Sequence, residues 1–302
     1  MSTSQNFEVI IIGGSYAGLS AAMSLGRALR KVLIIDSGQP CNRQTPHSHN
    51  FLTQDGQKPA EIANIALAQL AQYDTVQIHK GLAIHAAKTE NVFIVDTQAG
   101  DTFYAKKLIF ATGIKDTMPA ITGFAECWGI SVIHCPYCHG YEVRGQKTGI
   151  LANGEAAAHY AQLINNWTKD LTVFTNGKST LTQEQHDKLK NHGINLAEKA
   201  IDTIVHTNGR IEKIVFTDGS DQPLGALYAR PAFVQHSAIP ESLGCELTDQ
   251  GLIKVDGFQK TNVAGIFACG DNSSPMRSVA MAVATGSITG AMVNHELISE
   301  SF

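Results

Sequence analysis

The chain has 302 residues with a formal net charge of -4, and 43% of them are apolar while 17% are charged. A single core rarely grows past about 250–300 residues, so two domains are expected. The balance gives no basic field for nucleic acid, no apolar run reaches the ~18 residues of a membrane span, and the start MSTSQNFEVIIIGG lacks the basic-then-apolar pattern of a leader. A cytoplasmic protein that binds neither nucleic acid nor membrane is the expectation.

The apolar run Phe7 to Ile12 suits a strand buried on both faces of a parallel sheet. It runs into Gly13-Gly14, then a small-residue helix from Ala17 to Leu29, then a second strand from Lys31 to Asp36. Strand, glycine turn, helix and strand make a βαβ unit. A polar stretch from Ser37 to Lys58 is long for a plain connection and marks a functional loop. Pro59 to Tyr73 is helical, with proline in the first turn. Short strands are predicted at Val76–Ile78, Asn91–Thr97 and Thr102–Tyr104, and LIFATG from Leu108 to Gly113 is a buried strand ending in a glycine turn. The pattern then repeats: strand Gly149–Leu151, turn Ala152–Gly154, helix Glu155–Asn166, strand Leu171–Thr175. Further strands are predicted at Ile211–Thr217, Ala232–Gln235 and within Gly265–Asp271, before a long helix from Ser278 to Leu297. The fold class is α/β, with two Rossmann-like dinucleotide-binding domains, the second inserted into the first. The expected boundaries are 1–115 plus 244–302 for one domain and 118–241 for the other.

Three groups of residues carry chemistry. Gly13, Gly14, Ser15, Ala17 and Gly18 lie between a strand and a helix, with Asp36 about 20 residues on, as a dinucleotide fingerprint requires. Gly13 permits the tight turn, Gly18 lets helix and strand approach, helix-start N–H groups face a pyrophosphate, and Asp36 accepts from a ribose. Ser15 stands where the pattern has its second glycine and adds only a hydroxymethyl group. The second group is His134-Cys135-Pro136-Tyr137-Cys138-His139-Gly140. Two intervening residues let the sulfurs meet within one helical turn, as a reversible disulfide needs, and a helix N-terminus with imidazolium charge from His134 or His139 favours thiolate. No metal is expected, because a structural zinc site needs four ligands and no second CxxC or HxxxH accompanies this pair. Cys41, Cys127, Cys245 and Cys269 read as packing or surface thiols, and His47, His49 and His236 as weaker candidates than His139. The third group is TNVAGIFACGDNSSPMRSVAMAVATG, from Thr261, in which a helix starting at Ser278 presents its positive end.

Taken together, these motifs resemble the low-molecular-weight thioredoxin reductases, two-dinucleotide-domain flavoproteins, over essentially the whole chain and in the same order. The resemblance implies FAD as cofactor. It assigns Gly270 and Asp271 to the second FAD fingerprint, Arg277, Ser278 and Val279 to the stretch that meets the flavin, and Ala111, Thr112 and Gly113 to the strand end beside it. It makes Cys138 the sulfur nearest the flavin and Cys135 the interchange thiol. Those reductases carry an acidic proton donor directly after the second cysteine; here that position is His139, and CPYCHGYE is similar to a subgroup that includes the dithiol oxidases of gliotoxin and holomycin biosynthesis. A homodimer is also implied, with a thioredoxin-like protein or a small-molecule disulfide or dithiol as partner.

The nicotinamide half departs from that pattern. Ala152 replaces the first glycine, Glu155 adds negative charge to the turn, and the strand ending at Thr175 is followed by Lys178 alone, where these reductases place paired arginines. Three electron routes stay open: NAD(P)H to flavin to disulfide, a dithiol substrate to flavin to oxygen, and a protein donor such as ferredoxin.

Overall fold

The computed structural model describes residues 5–90 and 92–302. Residues 1–4 and the Asn91 start of one predicted strand lie outside the described residues. The chain divides into two compact units. The first comprises residues 1–43, 51–115 and 233–302, and the second residues 44–50 and 116–232. In this division the return crossing falls at Ala232–Phe233.

In chain order the first unit opens with β1 (Asn6–Ile12), α1 (Tyr16–Arg27), β2 (Val32–Asp36), α2 (Pro59–Leu70), β3 (Val76–Lys80), β4 (Ala83–Lys88), β5 (Phe93–Thr97) and β6 (Thr102–Phe110), and leaves through β7 (Ile114–Asp116). The second unit holds α3 (Phe124–Cys127), β8 (Val132–Ile133), α4 (Pro136–His139), β9 (Thr148–Leu151), α5 (Gly154–Ile164), β10 (Leu171–Phe174), α6 (Gln183–Asn191), β11 (Asn195–Ala197), β12 (Ile201–Thr207), β13 (Arg210–Phe216), β14 (Asp221–Pro223) and β15 (Ala226–Ala229). The chain then completes the first unit with β16 (Phe233–Gln235), α7 (Ile239–Ser242), β17 (Ile266–Ala268) and α8 (Val279–Ser301).

The first unit's sheet runs β3-β2-β1-β6-β5-β4, with β17 also on β6. β1 pairs in parallel with β2 and β6, placing Ile12 beside both Ile35 and Phe110. Val9 and Ile11 face one buried cluster and Ile10 and Ile12 another, which is why this strand is apolar throughout rather than alternating. Burying each such side chain stabilises the fold by about 1.5–3 kcal/mol. β6 was predicted as two pieces because Lys106 and Lys107 interrupt the apolar run. It is one strand: Lys107 is buried and its ammonium is held by Glu296 and Glu300 of α8. Its early residues pair antiparallel with β5 and its last residues in parallel with β17. Helices α1 and α8 pack closely because Gly286 and Gly290 face the carbonyls of Ala17 and Ala21, where a Cβ would collide.

The second unit repeats the plan in a smaller parallel sheet, β11-β10-β9-β15-β8. A three-stranded antiparallel sheet, β12-β13-β14, accompanies it. Among the described residues no helix is long and apolar enough to cross a membrane.

Candidate active site

In the first unit the predicted cofactor residues converge at the carboxyl ends of the parallel strands β1, β2, β6 and β17. Gly13 has φ +106, and a Cβ there would strike the Ala111 carbonyl, so the first glycine turn and the Ala111-Thr112-Gly113 turn lie against each other. At Gly18 a Cβ would strike the Gly13 carbonyl, which fixes α1 tightly on its strand. The Asp36 carboxylate accepts from the Gly14 N–H at 2.9 Å and the Gly38 N–H at 3.1 Å, so it closes the turn from the end of β2. Ser15 is extended at the N-cap of α1 and makes no side-chain cap, which leaves the helix-start N–H groups to a ligand. Gly270 approaches Ala17 so closely that an added Cβ would lie 2.9 Å from that side chain. Asp271 lies 3.8 Å from Arg277. Ser278 caps α8 by accepting from the Met281 N–H at 3.1 Å, and Val279 is that helix's first residue. The crevice fits FAD: a helix start without a cap, a second helix start with an arginine before it, and close backbone turns that Cβ atoms would fill.

The sequence reading missed three residues here. Asn272 is fully buried and donates to the Phe110 carbonyl at 2.8 Å and the Thr112 hydroxyl at 3.3 Å, tying β17's exit to β6's exit. Thr285 accepts from the Gly270 N–H at 3.1 Å. Gln235 donates to the carbonyls of Gly251 and Asn272. Asn272 directly follows the Gly-Asp pair, the only sequence signal for it.

The second unit carries the cysteine pair. Cys135 is the N-cap of α4 with Pro136 in the first turn, and its carbonyl accepts from the N–H groups of Cys138 and His139 at 3.2 Å. The two sulfurs are 2.6 Å apart and half-buried. Gly140 ends the turn against the Trp167 ring, where a Cβ would lie 3.0 Å from the indole. The segment 44–50 belongs to this unit and brings two of the weaker candidate histidines to the pair. The His49 ring lies edge-on to His139 at 6.4 Å and 3.6 Å from the Glu142 carboxylate, and His47 lies 6.4 Å from His49. Burial, with His49 beside it, holds His139 below the usual histidine range, while Glu142 acts the other way. His139 therefore favours the neutral imidazole. Burial and His49 thus act against the imidazolium charge expected of it, and Glu142 acts for it. His134 packs on Trp128, and its carbonyl accepts from the Tyr160 hydroxyl at 3.4 Å. His236 is exposed in the other unit.

The remaining cysteines are unlike this pair. Burial pushes the Cys127 thiol up to about 11 and Cys269 up to about 12, and it raises Cys245 as well. Cys41 is exposed.

At the second glycine turn the chain occupies its own helix start. Asn153 caps α5, and its carboxamide oxygen accepts from Gly154 N at 2.8 Å, Thr180 N at 2.8 Å and Thr180 Oγ1 at 3.1 Å, while its nitrogen donates to the Lys178 carbonyl at 2.9 Å. Gly154 has φ +57, and a Cβ there would lie 2.9 Å from Thr180 Oγ1. Glu155 is exposed in the first turn, and Glu198 accepts from Ser179 N at 2.6 Å. The chain's own side chain thus takes one of the N–H groups at this helix start.

Two dinucleotide-type units, one carrying a cysteine pair at a helix start, define a flavin-dependent disulfide oxidoreductase. The model of the pyridine nucleotide-disulphide oxidoreductases matches residues 7–286, and the chain belongs to that family, whose thioredoxin reductases use FAD and NAD(P)H. It is 34% identical to thioredoxin reductase tcpT of Claviceps purpurea, over 99% of this chain and 97% of that protein. Among solved structures, an oxidoreductase from Agrobacterium tumefaciens is 39% identical with a TM-score of 0.91, covering 97% of this chain and 99% of its own. The crystal structure of HlmI is 29% identical with a TM-score of 0.93, covering 100% of this chain and 95% of its own.

Proposed function

We propose that the chain moves electron pairs between FAD, held by the first unit, and the Cys135–Cys138 pair, and from there exchanges them with a thioredoxin-like protein or a small-molecule disulfide. The observation that carries this reading is the sulfur pair, 2.6 Å apart at a helix start. Bound FAD supplies two-electron chemistry. The residues proposed to hold it are Gly13, Gly14, Ser15, Ala17, Gly18, Asp36, Ala111, Thr112, Gly113, Gly270, Asp271, Arg277, Ser278 and Val279. Cys138 is the flavin-side sulfur and Cys135 the exchange sulfur, as the resemblance to thioredoxin reductases implies, and neutral His139 accepts or returns the thiol proton. NAD(P)H is the donor in the family. A cytoplasmic homodimer is the working form in this proposal.

A second reading is favoured by the carboxamide of Asn153 at the start of α5. There a dithiol substrate would load the Cys135–Cys138 pair by exchange, and bound FAD would supply the two-electron chemistry that links the pair to molecular oxygen. Substrate dithiol plus oxygen then yields substrate disulfide plus peroxide, with both thiol protons accounted for. An anaerobic reduction series tests the two readings. NADPH or NADH bleaching the flavin within a turnover supports the first. Bleaching by dithiothreitol but by neither nicotinamide supports the second. Bleaching only by reduced ferredoxin overturns both, and so does a purified protein without flavin.

A further inference from the structure

The helix that carries the cysteine pair is a single turn, Pro136–His139. Its backbone bonds are few: Cys138 and His139 donate to the Cys135 carbonyl at 3.2 Å, and Gly140 donates to the Pro136 carbonyl at 2.7 Å. A turn this short does not stay wound in water by itself, so packing from elsewhere holds it. Within the second unit, Trp167 provides that packing. Its ring meets the Tyr137 ring edge-on, with centroids 5.6 Å apart and planes at 89°. Its indole also lies against Gly140. That residue has an ordinary helical φ of -65, so conformation does not demand glycine there. Space does: a side chain would strike the Pro136 carbonyl and lie 3.0 Å from the indole. The Trp167 carbonyl accepts from the Gly145 N–H at 3.0 Å, and its own N–H is anchored at the end of α5, donating to the Ile164 carbonyl at 2.9 Å. Trp167 thus holds the chain on both sides of Cys138, at Tyr137 before it and at Gly140 and Gly145 after it.

We infer that Trp167 is a positioning residue that sets the redox equilibrium of the Cys135–Cys138 pair by keeping its turn wound. The inference rests on the reading of that pair as redox-active. Oxidation forms the bond between the two sulfurs and passes two electrons and two protons to an acceptor disulfide, whose own bond breaks. A wound turn holds each sulfur at a high effective concentration toward the other, which favours the disulfide. A frayed turn lets the sulfurs separate and favours the dithiol. Trp167 acts through the backbone of the turn, so its removal changes the equilibrium between the two forms of the pair.

The test uses the full-length, FAD-loaded protein as parent, Trp167→Ala and Trp167→Phe. Each is equilibrated without oxygen in dithiothreitol buffers of graded oxidised-to-reduced ratio. Free thiols are then alkylated with N-ethylmaleimide, and the alkylated fraction of the peptide carrying Cys135 and Cys138 is read by mass spectrometry. Trp167→Ala is expected to reach half-reduction at an oxidised-to-reduced ratio about tenfold higher than the parent, a shift of about 30 mV to more positive potential. Trp167→Phe keeps an aromatic ring in the same place and stays within about twofold of the parent. A merely structural tryptophan would lower the melting temperature and leave the midpoint of the alanine variant where it was. That result, or a midpoint moved to more negative potential, overturns the inference. Tyr137→Ala removes the other half of the ring contact and serves if Trp167→Ala does not fold; its midpoint moves the same way by about threefold, and a midpoint equal to the parent's overturns the inference too. Failure of the functional reading looks different: the parent's own pair would not titrate with dithiothreitol, which overturns both.

Discussion

The two glycine turns share one backbone plan and differ in what fills them. At the first, Ser15 leaves the start of α1 without a side-chain cap, and the neighbouring acid, Asp36, binds the turn from outside. At the second, the carboxamide of Asn153 serves Gly154 and both donors of Thr180, and draws the loop after β10 over the start of α5. A helix start attracts anions only while its N–H groups are available. The comparison teaches that one βαβ plan can leave its helix start without a side-chain cap or fill it with one.

The comparison can be broken in several ways. Gly13→Val has the largest expected effect. It places a β-branched residue at φ +106 against the Ala111 carbonyl, and the flavin-to-protein ratio of the purified variant falls toward zero. Retention of full flavin would mean that the first turn is not the cofactor's seat. Cys138→Ser keeps FAD, yet lowers disulfide or dithiol turnover by about a thousandfold or more in a steady-state assay. Asn153→Ala sharpens the contrast at the second turn. Loss of the cap costs about 1 kcal/mol, a drop of a few degrees in melting temperature. Flavin reduction by NADPH in stopped flow becomes faster because the helix start is uncovered; an unchanged rate would make the carboxamide a cap and nothing more.

The smallest effect is the pH dependence of His139. Its folded-state pKa is held below the unfolded value, so the unfolded chain binds the proton first as pH falls. Its stabilising contribution is complete above the unfolded value, near the ordinary histidine range, and is lost as pH drops below it. His139→Asn is expected to flatten that acid-side loss by about 1–2 °C in melting temperature, measured at mildly acidic pH against neutral pH. A variant whose acid sensitivity matches the parent's would remove His139 from the titration.

Much of the fold was legible because its strands are buried on both faces. Continuous apolar runs located β1, β2, β9 and β10 within about a residue. Harder elements failed for identifiable reasons. Helix α6 reads QEQHDKLKN, polar nearly all round, with Leu189 its one buried residue. The capping box of Thr182 and Gln185 was the signal available for it. Strands β4, β12, β14 and β15 are short or half-exposed, so no periodicity marks them. In the candidate site, glycine and cysteine spacings were readable. Asn272 and Thr285 were not, because each is an ordinary residue whose significance is only where its polar atom is buried.

By itself, the sequence determined the local chemistry: a turn that needs glycine at φ +106, two sulfurs within one helical turn, and apolar strands that only a doubly covered sheet can bury. Those follow from short-range sterics and spacing. Tertiary structure decided the rest: that His49 joins His139, that Asn153 ties the loop after β10 to the start of α5, and that Asn272 ties the exit of β17 to that of β6. These are contacts between segments far apart in the chain, and their geometry exists only once the sheet has fixed its register.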